Sequence, residues 1–593
     1  MISHARCLIL LGLLLTTVAF GQEVPIDDHV CNDEFARFLV DQQVSESRSV
    51  AETDKRIRIL TKSADFIWKF DQPKAREYFA EAFKVATDRF NEKGFERKEY
   101  GGGISSQLPD YRFEVLRSIA KHDGAWARKL TEELLKEYEA TSAKRDGLDN
   151  GREIDSLLSI ALDNVKTNPA LSWYLYRRLM KQEVEHQWFW TLFSVYKNDP
   201  AFADQLYTEL LESHANALPS SVGYLSAYPF GRSRVFGHMA SQYIAAAPDN
   251  FAPKPQLQSR FIDLLLRRSD AFASNPANYN LPAEGNRLPE AVHIVTALQE
   301  LEPIIIQSFP AFLPRLSAAR SKAMAMLNEE SRNNIADRDK QKETGSRSFD
   351  QRIIELEKAD EEGKLTDAMI LSTLISGLTS EEHFKRFEPW IDKMIDPEGR
   401  IGSANYFWFL RAKLAIKEKR IDDAQKFAAK VPEVEHQAII WFEIAEKQLA
   451  DINDAANAYQ TLLDVAKIAR RAEDSVGKAR VFLGLANLYE KHNHSFAISE
   501  LSDAVAVINK LKDADLQAGW ILSHIKVKDM GFGASFSTPG YDLENTFTTL
   551  SKTDFSLPLS NAKAIDDKYF RTLAVIAIAK NCIDRPKPKS ERR

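Results

Sequence analysis

Three cysteines among 593 residues exclude a fold stapled by many disulfides, and a chain of this length can bury enough apolar surface without them. Beyond the first twenty residues no run of about 18 uninterrupted apolar residues occurs, so the chain offers no membrane-spanning helix. Neither sign of charge dominates: 79 Lys and Arg face 85 Asp and Glu, a net charge of -6. That balance removes the basic excess on which nucleic-acid binding depends.

Catalytic motifs are equally scarce. There is no His-Glu-x-x-His, no Gly-x-Ser-x-Gly and no Cys-x-x-Cys, the spacings that zinc proteases, α/β hydrolases and thiol redox enzymes need for their geometry. Gly101-Gly102-Gly103 has no strand before it and no Gly-Lys-Ser/Thr after it, so it reads as a flexible loop rather than a phosphate cradle. Acidic pairs such as Asp27-Asp28 and Asp566-Asp567 are expected by composition where 28% of residues are charged, and they do not single out a glycosidase dyad.

At the start of the chain, Arg6, an apolar run over residues 7–18 and Ala19-Phe20-Gly21 match the basic, apolar and small-residue regions of a secretory signal peptide. Residues 1–21 are therefore set aside, and the expected product is exported, periplasmic or secreted, with no transmembrane anchor and no lipidation signal. Its two remaining cysteines, Cys31 and Cys582, lie near opposite ends. An open solenoid would keep them apart as separate thiols. Pairing in an oxidising compartment demands a closed or strongly curled superhelix, because a disulfide needs Cα atoms within about 7 Å.

The body of the chain is helical in pattern. Ile59, Leu60, Ala64, Ile67 and Trp68 recur at helix spacing, and after Asp71-Gln72-Pro73 come Ala75, Tyr78, Phe79 and Ala82. Two later stretches align on Pro169 and Pro200, each a helix, a tight turn and a second helix. Asp71, Asp123, Asn168 and Asp199 share a place at the turn, followed four residues later by Ala75, Ala127, Ser172 and Ala203. The Asp or Asn can cap the second helix, and the small residue lets two helices approach. Such tandem similarity predicts stacked helix pairs.

Residues 328–350 contain eleven charged residues among 23 and almost no large apolar one, so they form a charged linker. The expected organisation is an irregular segment at 22–50, a helical-repeat segment at 51–327, the linker at 328–350, a second repeat segment at 351–582 and a basic tail at 583–593. Within the second segment, residues 428–445 line up with residues 562–579, the end of one helix and the whole of the next. Residues 531–541 read as a loop of glycines and aromatics.

Two units of this segment carry a family likeness. Trp408, Ala412 and Ala424, and then Leu485, Ala486, Tyr489, Ala497, Leu501 and Ala504, resemble the small-and-large code of the tetratricopeptide repeat. The second copy is one residue short at the turn. Arg411 stands where a large apolar residue is usual, and units are spaced 31 to 52 residues apart rather than a steady 34. The resemblance implies helix pairs whose grooves bind proteins or peptides. The fold expected is all-α: an irregular α-solenoid of tetratricopeptide-like pairs in two segments.

Three constellations are candidate sites. The pentapeptide Glu183-Val184-Glu185-His186-Gln187 recurs as Glu433-Val434-Glu435-His436-Gln437. Glu183 with His186 and Glu433 with His436 have the Glu-x-x-His spacing of helical metal sites, although a repeated helix entrance with Glu in its first turn explains the same pattern and no metal or other cofactor is expected. His492 and His494 lack a nearby third ligand. The third is an interruption at residues 223–238, where Tyr224, Tyr228, Phe230 and Phe236 alternate with Arg232, Arg234 and glycines. That mix suits an interface hot spot, or else aromatics folded back as a plug of the superhelix core.

The sequence thus points to an exported, non-catalytic helical scaffold for a protein or peptide partner, of unassigned oligomeric state. The competing expectation is an exported helical-toroid enzyme or binder acting on carbohydrate or cell wall, which requires a carboxylate pair in an aromatic-lined cleft.

Overall fold

The protein is described by a computed structural model over residues 31–584, apart from 95–96, 100–104, 108–109, 143–150, 182–186, 238–246, 279–288, 334, 336–347, 451–453, 513, 515, 517–519, 529 and 539–541. The leader at 1–21 and the basic tail from 585 onward lie outside the described residues. The chain is all-α, as its periodicity predicts, with two short β-hairpins.

Turn chemistry makes the helix pairs. Within the segment expected to be irregular, residues 33–47 form α1 (Asp33–Ser47), with Ala36, Leu39, Val40 and Val44 buried. The pair α2 (Thr53–Ile67) and α3 (Gln72–Lys93) then follows, joined at Asp71, whose carboxylate accepts the Lys74 amide at 3.0 Å beside Pro73 in the first helical turn. The same cap recurs at Asp123 between α4 (Tyr111–His122) and α5 (Gly124–Ser142), accepting from Trp126 N at 3.0 Å. Asn168 does this between α6 (Gly151–Asp163) and α7 (Pro169–Leu179), and Asp199 between α8 (Gln187–Asn198) and α9 (Pro200–Ser213). An Asx side chain satisfies an amide that the first turn leaves unpaired, and proline there loses no hydrogen bond. Ala75, Ala127, Ser172 and Ala203, the small residues of the pattern, are buried in every unit.

Between α3 and α4 the glycine-rich stretch does more than loop. Its flanks pair as an antiparallel ribbon, β1 (Arg97–Glu99) with β2 (Ser105–Gln107), while residues 100–104 lie outside the described set. Past α9 the rhythm changes to α10 (Pro219–Gly223), α11 (Ala227–Phe230), α12 (Pro255–Ala273), α13 (Glu290–Ser308) and α14 (Leu313–Ala325). Neighbouring units are stitched along their outer helices. Arg76 meets Asp123, Tyr174 meets Glu132, Arg177 meets Glu209 at 2.8 Å, Arg260 meets Glu212 at 3.1 Å and Arg315 meets Asp263 at 2.8 Å.

The linker at 328–350 is helical where it is described at 329–333, and Ile335 is buried against the first core. At its far end Ser348 and Gln351 form a reciprocal capping box. The second arm then runs α15 (Phe349–Glu361), α16 (Asp367–Ile375), α17 (Glu381–Asp392), α18 (Pro397–Lys417), α19 (Ile421–Ala428), α20 (Val434–Ala450), α21 (Ala455–Arg471), α22 (Val476–Glu490) and α23 (His494–Ile508). It continues through the hairpin β3 (Trp520–Val527) and β4 (Met530–Ser537) to α24 (Leu543–Leu550), α25 (Ser556–Lys563) and α26 (Lys568–Asp584). Residues 531–537, read from the sequence as loop, are therefore strand. Phe532, Ala534 and Phe536 alternate with Gly531, Gly533 and Ser535, and period two wins once Ile521, Ile525 and Val527 supply a partner strand.

The two arms do not end apart. α26 packs on both α1 and α2, and Cys31 and Cys582 are joined by a disulfide with their Cα atoms 5.0 Å apart. The core of the first arm takes in Ile576, Ala579 and Cys582, whereas the core of the second takes in Leu39 and Ile59. Ion pairs reinforce the seam: Lys55 with Asp567 at 3.1 Å, Arg571 with Glu46 at 3.2 Å and Lys62 with Glu544 at 2.6 Å. The open solenoid expected for separate thiols is thus replaced by a chain closed on itself. The physical reason is that α26 carries apolar residues around much of its circumference, and only two neighbouring cores can cover them.

Candidate functional site

The interruption, described over residues 223–237, folds its aromatic residues inward. Tyr228 on α11 is 2% exposed, its hydroxyl donates to Asp204 Oδ1 at 2.9 Å, and its ring lies against Phe193, Tyr207 and Phe251. Burial pushes the Tyr228 hydroxyl well above the ordinary tyrosine range. Phe236 is also buried, against Phe230 and Phe261, with its amide donating to Ser226 Oγ at 2.7 Å. Gly231 turns in the left-handed region at φ 61°, where a Cβ would sit 3.0 Å from the Phe251 ring. Only glycine meets both demands.

The hot-spot expectation is corrected accordingly: Tyr224, Tyr228 and Phe236 are core residues, and their rings are not offered to a partner. The area an aromatic ring buries outweighs what it would gain at the surface, and the short helices α10 and α11 leave an end of α8, α9 and α12 that needs covering. What remains outside includes Arg234, which is exposed, with Phe230 and Arg232 half-buried. The Arg232 guanidinium stacks 4.4 Å from the Phe236 ring, and partial burial lowers its pKa.

Of the twin pentapeptides, Glu183 and His186 lie outside the described residues. The second copy is at the entrance of α20. Glu435 sits in the first turn and pairs with Arg480 at 2.8 Å, so one carboxylate of the motif serves the helix end and a neighbouring helix. His436 is 2% exposed, edge-on to Phe409 and Phe536, and its Nδ1 lies 2.6 Å from Glu433 Oε2 in an alignment that makes no hydrogen bond. Gln437 donates back to the Ala428 carbonyl, and its counterpart 134 residues on, Arg571, donates to the Ile565 carbonyl. The internal repeat is thus a way of closing the joint between two helices.

No cluster of three or more His, Cys, Asp or Glu among the described residues is arranged to hold a metal ion. His494 has Glu490, four residues earlier, with Oε2 2.7 Å from its Nδ1, and it acquires one neighbour that spacing could not reveal, Asp554, whose Oδ2 lies 3.9 Å from its Nε2. Asn493 caps α23 by accepting the Phe496 amide.

Three features escape sequence reasoning. Glu500 is a buried carboxylate that takes Arg470 at 2.6 Å through one oxygen and has no hydrogen bond at the other, beside the equally unpartnered Tyr489 hydroxyl. Burial raises the Glu500 pKa above the carboxylate range, with Arg470 opposing. A surface groove of about 480 Å³ runs between α9 and α12 beside Phe312, lined by Glu212, Arg260, Asp263 and Arg267. Its cations are already engaged with Glu212 and Asp263. The hairpin β3–β4 is the third, and the alternation of Ile521, Ile525 and Val527 was the signal that could have found it.

The family likeness has a structural counterpart in packing alone. Ala412, Ala424, Leu485, Ala486, Tyr489, Ala497, Leu501 and Ala504 are all buried, and Arg411, the departure from the pattern, is buried with its guanidinium on Glu381 and Glu388 and against the Phe427 ring. A scan against protein-family models finds none that matches this chain. A search of curated proteins finds no similar sequence at a significant level. No helix of the described residues is long and apolar enough to cross a membrane.

Proposed function

We propose that this protein is an exported, tetratricopeptide-like scaffold that binds a protein or peptide partner without catalysing a reaction on it. The observation that supports this reading most is mechanical. Helix pairs are stitched unit to unit by ion pairs and tied end to end by Cys31–Cys582, which makes an extended, pre-organised surface of the kind that stacked repeats offer to partners. Arg234, with the half-buried Arg232 and Phe230, remains the part of the 223–238 segment available for contact.

The test is retention of exported proteins on the immobilised full-length protein, compared with a double Arg232→Glu, Arg234→Glu variant. A partner held by the wild type and weakened by the variant supports the reading. If the wild type retains no partner that survives salt washing, the scaffold reading fails. One specific observation, the closure of the chain on itself, also suits the helical-toroid alternative. Co-sedimentation with purified cell-wall sacculi, unaffected by the double variant, would favour that alternative.

A further inference from the structure

We propose that the free edge of β4 docks an extended acidic peptide, which joins the β3–β4 hairpin as a third strand; this rests on the partner-binding reading and names where and how the partner is held. The hairpin is antiparallel, with register from Trp520↔Ser537 to Val527↔Met530. β3 runs along α18, and β4 is the strand further from that helix. Among the described residues, the backbone of β4 bonds to no backbone other than β3. Its second edge is therefore a row of N–H and C=O groups whose natural complement is another extended backbone.

Natural edges are blunted by charged side chains, proline or bulges, and from Met530 to Ser537 β4 carries no charged residue and no proline. By alternation, Gly531 and Gly533 share one face of the strand, so no side chain stands over that part of the edge. Gly531 and Gly533 are exposed, and a Cβ placed on Gly531 meets nothing within 4 Å. Glycine in a strand is a mark of close backbone approach. The opposite face is held down: Phe532 packs on Tyr406 at 5.1 Å, Phe536 on Phe409 at 4.3 Å, and Ile525 and Val527 are 2% exposed. The edge is thus rigid before anything binds.

Charge sets the kind of peptide. Lys526 pairs across the register with Gly531, on the same face as the glycine strip, and it is exposed, as is Lys528 at the turn. An incoming strand beside β4 lies two strand spacings, about 10 Å, from β3, and because only Gly531 stands between them, the long side chain of Lys526 can extend over the glycine toward a Glu or Asp of that strand.

The experiment is hydrogen exchange followed by mass spectrometry on the full-length protein, with a blocked hexapeptide of alternating Glu and Val as probe and its Lys-for-Glu counterpart as control. The Glu peptide is expected to slow exchange across Met530–Ser537 about five-fold or more, and the Lys peptide to leave it unchanged. Gly531→Glu, which has space for its side chain and sets a carboxylate against those of the peptide, should abolish the protection with an unchanged melting temperature, whereas Gly531→Ala retains it. Unchanged exchange over residues 530–537 with the Glu peptide overturns the proposal, as does full protection in Gly531→Glu. Protection that rises with protein concentration alone, before any peptide is added, overturns it in favour of a second copy of the chain. Protection elsewhere on the arms with β4 unaffected removes the hairpin and spares the scaffold reading, while no protection anywhere counts against both.

Discussion

Single residues in this protein are mostly spent on the fold, and Glu500 is the clearest case where one is under strain of its own. It lies between α21, α22 and α23, shares Arg470 with Asp503, and keeps one oxygen without a hydrogen bond. Because its folded pKa is raised, its protonated form is the one the fold prefers. Its contribution to stability is fully present below the ordinary carboxylate pKa and is lost as pH rises through the raised folded value. Glu500→Gln removes that dependence while Arg470 keeps Asp503. The difference between wild-type and variant melting temperatures is expected to be smallest in acid and to grow in the variant's favour toward neutral pH. Melting curves between pH 4 and pH 8 measure it, and a variant less stable at every pH would contradict this account. Arg411 shows the same economy: where the repeat pattern expects an apolar residue, a buried guanidinium is satisfied by two carboxylates and a ring.

At the scale of elements, the short helices α10 and α11 are a plug. Their aromatic residues were legible as special in the sequence, but whether special meant exposed or buried was not, because hot-spot and core residues share one composition. Tyr228 separates the two outcomes. Tyr228→Ala should cost about 3–5 kcal/mol by leaving a cavity among Phe193, Tyr207 and Phe251. Tyr228→Phe, which loses only the bond to Asp204, should cost about 1 kcal/mol. Denaturant titration distinguishes them, and equal small losses would mean that the ring is not in the core. Helix boundaries were easier to read. Asp71, Asp123, Asn168 and Asp199 cap the helices that their spacing implied, because a cap depends on a handful of adjacent residues.

At the scale of the whole molecule, the decisive element is α26, which belongs to two cores and carries Cys582 to Cys31. The disulfide closes 551 residues, and removing it with Cys31→Ser should cost about 2–5 kcal/mol. The loss should appear first as faster hydrogen exchange in α1 and α26, the two helices that the disulfide ties together. Unchanged protection there would show that apolar packing alone holds the ends together.

Fold class, the capped helix pairs and the irregular spacing followed from the sequence by itself, since all of these rest on periodicity and on neighbours within a few residues. Tertiary structure alone decided that Cys31 meets Cys582, that Tyr228 and Phe236 face inward, that Asp554 comes beside His494, and that residues 520–527 pair with residues 530–537 as a hairpin. Each of those depends on residues far apart in the chain competing for the same apolar surface or hydrogen bond, and a local pattern carries no record of which competitor wins.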